Sequence, residues 1–297
     1  MSSAFNPVRH PWSVFAGWIL ICSLIFWKPL YALVRYALTD ENASHILIIP
    51  FLVAWLLFLD RERMAHTSLD LKSASMVAIP AVTLAAVVAF GLVGQGMALR
   101  GWILSFVLLV ISGFIAIFGI RCFQSDWFPF AMLGFLIPLP DPVLNRLIYV
   151  LQAGSADVAE KIFDWTGVPA LRDGFIFHLP RLSIEVAQEC SGIRSSIALL
   201  ILALLVAYFS FSKFWKKAVF LIAGLLMMIV KNGVRIATLT ILASYVNPDF
   251  LFGRLHREGG VVFFLIGLAL LLPVYWFLRR GEANVSVAAS KVAPSTS

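Results

Sequence analysis

Apolar residues recur along the chain in long runs that polar residues interrupt only at the ends. A bilayer core needs roughly 20 such residues per helix, and about eight candidate spans follow. They cover residues 12–27, 46–59, 76–93, 102–120, 127–139, 193–211, 218–246 and 261–278, two of them short. Between the fifth and sixth runs the pattern changes. Pro138 and Pro140 close the fifth, and Asp141-Pro142 is a helix start, with a capping carboxylate before a proline in the first turn. Leu144, Leu147, Ile148, Leu151, Val158 and Ile162 then recur at helical spacing, while Asn145, Gln152, Asp157, Glu160, Lys161 and Asp164 fill the other face. That pattern predicts an amphipathic helix lying on the membrane surface or packed against the bundle, ended by Gly167. Residues 175–179 and 182–186 read as two short strands turning at Pro180-Arg181. The predicted fold is an all-α polytopic membrane protein of about eight transmembrane helices. An extracytoplasmic amphipathic helix and a short β-hairpin precede Cys190. The expected organisation is one transmembrane domain over residues 1–281, an extracytoplasmic insertion at about 140–190, and a disordered Ala/Ser/Val-rich cytoplasmic tail over 282–297.

Composition agrees with this class. Hydrophobic residues are 61% of the chain and charged residues 13%, half the share of about 25% in soluble domains. The mean hydropathy is +0.92. The net charge of +7 is then a topology signal and not a nucleic-acid footprint, because no basic stripe interleaved with aromatics is present. Arg9, Arg61, Arg63, Lys72, Arg121, Lys213, Lys216, Lys217, Arg279 and Arg280 fall on one side if the spans alternate. That side is the cytoplasm, with both termini inside. Residues 28–45, 94–101, 140–192 and 247–260 then face outward. No cleavage site follows the first run, so it reads as a retained helix. Of three cysteines, Cys22 lies within a span, Cys122 inside the cell and Cys190 outside, so no disulfide is expected.

The outer face carries the candidate chemistry. Cys190 sits in Glu189-Cys190-Ser191-Gly192-Ile193-Arg194 at the mouth of the sixth span. A helix N-terminus and a nearby guanidinium both favour the thiolate, which is the nucleophilic form. A free cysteine is often only a small buried hydrophobe, but Glu189 and Arg194 are poor neighbours for dry packing. Arg235, in Lys231-Asn232-Gly233-Val234-Arg235, stands inside the seventh apolar run. Such a residue either lines a site or snorkels to the interface. In a site it would hold an oxyanion or grip a substrate carbonyl, with Asn232 as a further donor. His256, before the last span, is either a solvated loop residue or a proton shuttle beside Cys190 and Arg235. His45, at the outer start of the second span, would cap a helix or orient substrate. No HExxH, CxxC or carboxylate cluster signals a metal, and no phosphate-binding glycine motif signals a nucleotide.

At these residues the chain resembles the exosortase/archaeosortase family of membrane-embedded cysteine transpeptidases. The likeness rests on Glu189-Cys190-Ser191-Gly192-Ile193-Arg194-Ser195, on Asn232-Gly233-Val234-Arg235 and on His256. Ser44-His45 with Pro50 and Trp55, Ile137-Pro138-Leu139-Pro140, Thr166-Gly167-Val168-Pro169 and Gly174 extend it over roughly 40–270. The resemblance implies a nucleophilic Cys190, a positioning or oxyanion-binding Arg235 and an acid/base His256, with no cofactor. It implies exported protein substrates with a C-terminal sorting signal: a short Pro-containing motif, a transmembrane helix and a basic end. Cleavage would occur outside the bacterial inner membrane through a thioester, resolved by water or by an unknown surface acceptor. Two rival classes remain. A transporter or lipid-linked saccharide flippase would use Arg235 and His256 along a path and need no thiol. A non-catalytic surface-polymer assembly factor would use the polar residues as helix glue.

Overall fold

The computed structural model describes residues 11–65, 98–180, 182–186, 192–251 and 260–280. The expected span at 76–93 and the tail at 282–297 lie outside them. The chain forms two compact units, Met1–Pro140 and Asp141–Ser297.

In the first unit, α1 (Pro11–Ile25) is followed after one residue by α2 (Trp27–Thr39). The two axes differ by 81°. Residues 28–45, expected on the outer face, form most of α2 and a 3₁₀ helix, Glu41–Leu47. Lys28, Tyr31, Arg35 and Tyr36 break the apolar run that a hydropathy rule looks for, while Leu33 and Ala37 still supply a buried stripe. The Asp40 carboxylate accepts from the Asn42 N–H and starts the 3₁₀ turn. Next come α3 (Ile49–Leu59), with Pro50 in its first turn, α4 (Arg61–Ala65) and α5 (Ala98–Phe118). The short α6 (Ile120–Ser125) and α7 (Trp127–Met132) follow.

The core of this unit is aromatic. Phe114 stacks on Phe118 at 4.6 Å and meets Phe15 edge-on at 5.5 Å. Trp18 reaches across α5, donating to the Leu109 carbonyl at 2.9 Å. Gly113 leaves the room it needs, since a Cβ there would lie 2.1 Å from the indole nitrogen. Close approach over small residues is how helices associate where no water drives them together.

The second unit begins with α8 (Asp141–Thr166). Gly167, at φ 70°, ends it by taking the left-handed conformation that glycine adopts at low cost. The Val168 N–H then returns to the Phe163 carbonyl at 3.0 Å. A three-stranded antiparallel sheet follows, β1 (Leu171–Asp173), β2 (Ile176–His178) and β3 (Ser183–Glu185), in order β1-β2-β3. Two strands were expected. The third, β1, pairs Arg172 with Phe177; its Leu-Arg-Asp sequence carries no β-branched or aromatic signal, so its pairing comes from the partner strand. Three long helices complete the unit: α9 (Ile193–Ser210), α10 (Phe214–Tyr245) and α11 (Gly260–Arg279). α10 packs against α8, α9 and α11.

Among the described residues five helices are long and apolar enough to cross a membrane, or seven if two broken helix pairs each count as one span. This is an all-α polytopic membrane architecture; of the eight expected spans, the one at 76–93 lies outside the described residues. In one of the two short runs, 127–139, Trp127–Met132 is followed by the 3₁₀ turn Leu133–Leu136. That run is too short to cross alone, and it is one member of a broken pair, the other being Asp141–Thr166. Large apolar side chains such as Leu24, Phe51, Leu226 and Leu265 stay exposed, as a lipid-facing surface requires.

Candidate active site

The site is built where α8, the sheet and the first turn of α9 meet α10. The sheet sits on a small core in which Phe163 and Ala159 of α8, Phe177 of β2, Val186 and Ile236 of α10 are all buried. Arg172 of β1 locks the sheet to α8, donating to Asp157 and to Glu160 at 2.7 Å each. Partial burial works against this guanidinium, but the two carboxylates outweigh it and hold its pKa above the ordinary arginine value. The chain leaves β3 at Val186, whose N–H donates to the Phe175 carbonyl at 2.9 Å. The buried Gln152 of α8 donates its side-chain amide to the Val186 carbonyl. Glu189 and Cys190 lie in the next five residues, outside the described ones.

The chain re-enters at Gly192, again left-handed at φ 67°. This glycine has a second reason to be one. A Cβ here would lie 2.6 Å from Oδ1 of Asn232 and 3.0 Å from its Cγ. Asn232 is 1% exposed and donates its amide to Ser155 Oγ of α8 at 3.1 Å. Gly233, next to it, brings α10 onto α8 so closely that a Cβ would lie 2.5 Å from Val158. The Gly192 carbonyl accepts from the Ser196 N–H at 2.9 Å and from Ser195 Oγ at 3.0 Å, which starts α9. Val186 and Gly192 are each held by a contact of their own, the first through Gln152 and the second against Asn232.

The expected site residues separate into groups. Arg235 is half-buried on α10, one turn beyond Lys231. Asn232 ties α8 to α10 through its amide and walls the Gly192 turn. Arg194 is exposed in the first turn of α9. His45 belongs to the first unit, half-buried, with Nδ1 3.1 Å from the Asn42 carbonyl and its ring edge-on to Phe135. His256 lies outside the described residues. Among the described residues no three His, Cys, Asp or Glu side chains form a metal-binding group.

Sequence reasoning missed Gln152, Ser155, Ser195 and Lys231. The first three are ordinary polar residues within helical patterns and carry no signal of their own. Lys231 did carry one: it is a charge within an apolar run, the same argument that singled out Arg235. It is 1% exposed, and its ammonium donates to Ser195 Oγ at 2.6 Å.

A polytopic helical bundle with buried polar and cationic side chains at the mouth of one span is the architecture of an integral membrane enzyme or carrier. The family comparison decides between these classes. A model described as transmembrane exosortase matches residues 37–273, most of the chain and all three motifs. The protein belongs to the transmembrane exosortase family, membrane cysteine transpeptidases that act in protein sorting. Curated proteins and solved structures give no match.

Proposed function

We propose that this protein cleaves the C-terminal sorting tails of exported proteins at the outer face of the bacterial inner membrane. The substrate tail docks by its own transmembrane helix. The Cys190 thiolate attacks a peptide carbonyl just outside the bilayer, and the resulting oxyanion is steadied by Arg235. His256 protonates the leaving amine as the C–N bond breaks, which leaves a thioester on Cys190. Water or an amine of a surface acceptor then attacks the thioester and releases the thiolate. Arg194 and Glu189 tune the charge around the thiol, and Asn232 sets the helix spacing. No cofactor takes part.

The observation that carries this reading is the anchoring of Val186 and Gly192, the residues on either side of segment 187–191. The chain enters it from a carbonyl held by a buried glutamine and leaves it through a left-handed glycine packed on α10. A nucleophile needs such fixed flanks, because a reacting atom displaced by about 1 Å loses on the order of 100-fold in rate. The test is a Cys190→Ala variant expressed beside tail-bearing exported proteins. Full-length anchored substrate should accumulate. Unchanged processing would remove the enzyme reading and leave transport or assembly.

A further inference from the structure

A cavity lies at the bend between α1 and α2 in the first unit, and the mechanism above does not use it. The cause of the bend is local. Pro29, in the first turn of α2, brings no N–H to the Ile25 carbonyl four residues back, and its ring crowds that carbonyl. The helix axis turns by 81° there. On either side of the turn the Phe26 N–H still reaches the Cys22 carbonyl at 2.9 Å, and the Leu30 N–H reaches the Phe26 carbonyl at 3.0 Å. Phe26 is buried in the corner, edge-on to Trp102 of α5 at 5.9 Å. The cavity beside it measures about 630 Å³, and its walls include Ile25, Trp27, Ala32, Leu99 and Trp102.

The helix that forms one wall has three distinct faces. Leu33 and Ala37 are buried. Trp27, Tyr31, Val34 and Leu38, spaced by three and four residues, share a second face and are exposed. Lys28 and Arg35, two turns apart, stand exposed on a strip beside it. An exposed apolar stripe flanked by cations belongs to a helix lying in the membrane interface, its apolar side among the acyl chains and its cations at the phosphates. The two cations differ in one respect. Lys28 lines the cavity, with its ammonium 5.8 Å from the centre of the Trp27 ring; Arg35 is not among the lining residues. Asp40 and Glu41 stand at the far end of α2, about 18 Å along the helix from Lys28.

We propose that this cavity binds one anionic phospholipid, with an acyl chain against Trp27, Trp102 and the aliphatic wall and the phosphate at Lys28. The volume falls within the range of about 300–1,000 Å³ that small-molecule sites span. Apolar walls and one cation at their edge match the two halves of such a lipid, and basic pockets between membrane helices take anionic head groups in this way. A soluble phosphate brings the charge without the chain; a zwitterionic lipid brings the chain without the net charge. The site is confined to the first unit and does not rest on the cysteine chemistry.

The experiment titrates phosphatidylglycerol or phosphatidylcholine into the full chain in detergent and follows the tightest lipid adduct by native mass spectrometry. One phosphatidylglycerol should be retained, and phosphatidylcholine should bind about fivefold more weakly. Lys28→Met should weaken phosphatidylglycerol about fivefold and leave phosphatidylcholine unchanged. Lys28→Gln gives the same comparison if the methionine variant fails to fold, and Lys28→Arg should keep the wild-type preference. Arg35→Met removes a cation from the same helix but not from the cavity, and should leave the adduct in place. Ala32→Phe fills the cavity without touching the charge, and should weaken both lipids about fivefold or more. Glycerol phosphate at the same concentration should not compete. The proposal is overturned by equal affinity for the two lipids, by equal losses in Lys28→Met and Arg35→Met, by unchanged binding in Ala32→Phe, or by competition from glycerol phosphate. A cavity filled instead by the chain's own apolar run at 76–93 would retain no lipid at all, and that result overturns it too.

Discussion

Replacing Gly192 by alanine tests the site at its most constrained point. Two independent costs meet there. The backbone stands at φ 67°, and a residue with a Cβ loses about 1–2 kcal/mol in that conformation. The added methyl would also stand 2.6 Å from Asn232 Oδ1. Asn232 cannot swing aside freely, being 1% exposed and tied to Ser155 at 3.1 Å. Overpacking of this kind costs about 1–3 kcal/mol, so Gly192→Ala should destabilise the protein by about 2–5 kcal/mol. The two parts are separable by a double-mutant cycle with Asn232→Ala, which removes the obstructing oxygen. The combined variant should be more stable than the sum of the single losses predicts, by about 1–3 kcal/mol. Equilibrium unfolding in mixed SDS micelles measures the stability. Substrate processing should fall about 10–100-fold in Gly192→Ala, because the turn bordering the thiol moves. Strict additivity in the cycle, or a Gly192→Ala protein as stable as wild type, would refute the overlap and the geometry behind it.

Two further perturbations bear on other parts of the fold. Gln152→Leu keeps the buried volume but leaves the Val186 carbonyl without its donor; a loss of about 1–3 kcal/mol is expected, with faster hydrogen exchange at the Val186 amide and reduced processing. In the first unit, Asp126 is 2% exposed and pairs with Arg63, itself 58% exposed. Burial raises the Asp126 pKa more than Arg63 lowers it. The unfolded chain therefore gives up this proton first, and stability is lost as pH rises through the carboxylate range and regained as it falls. Arg63→Met should cost about 1–2 kcal/mol at neutral pH, less than the loss from a fully buried pair because solvent screens the exposed guanidinium. That cost should shrink toward pH 4 and vanish in an Asp126→Asn background; a loss independent of pH, read in the same unfolding assay, would contradict the assignment.

The membrane class, the family and the chemical motifs were legible along the chain because each depends on neighbours in sequence. Apolar runs near bilayer length mark α5, α9, α10 and α11, whose ends differ from the expected ones by four residues or fewer. A thiol, a glycine and an arginine within five residues need no fold to be seen together. The intramembrane charge rule marked Arg235, and applied evenly it would have marked Lys231. Where the local signal was weak, the reading went astray. α2 was hidden by its polar residues, and β1 had no strand composition at all.

What only the tertiary structure decided is which polar atoms meet. Lys231 and Ser195 are 36 residues apart, Asn232 and Ser155 are 77, and Gln152 and Val186 are 34. No periodicity encodes these pairs; they follow from how closely α8, α9, α10 and α11 approach, which small residues at Gly154, Gly233 and Gly267 permit. Hydropathy tells a helix to enter the bilayer but not which face turns inward. In an apolar medium that choice falls to packing and to the few hydrogen bonds that buried polar groups must find, and both are properties of the assembled bundle.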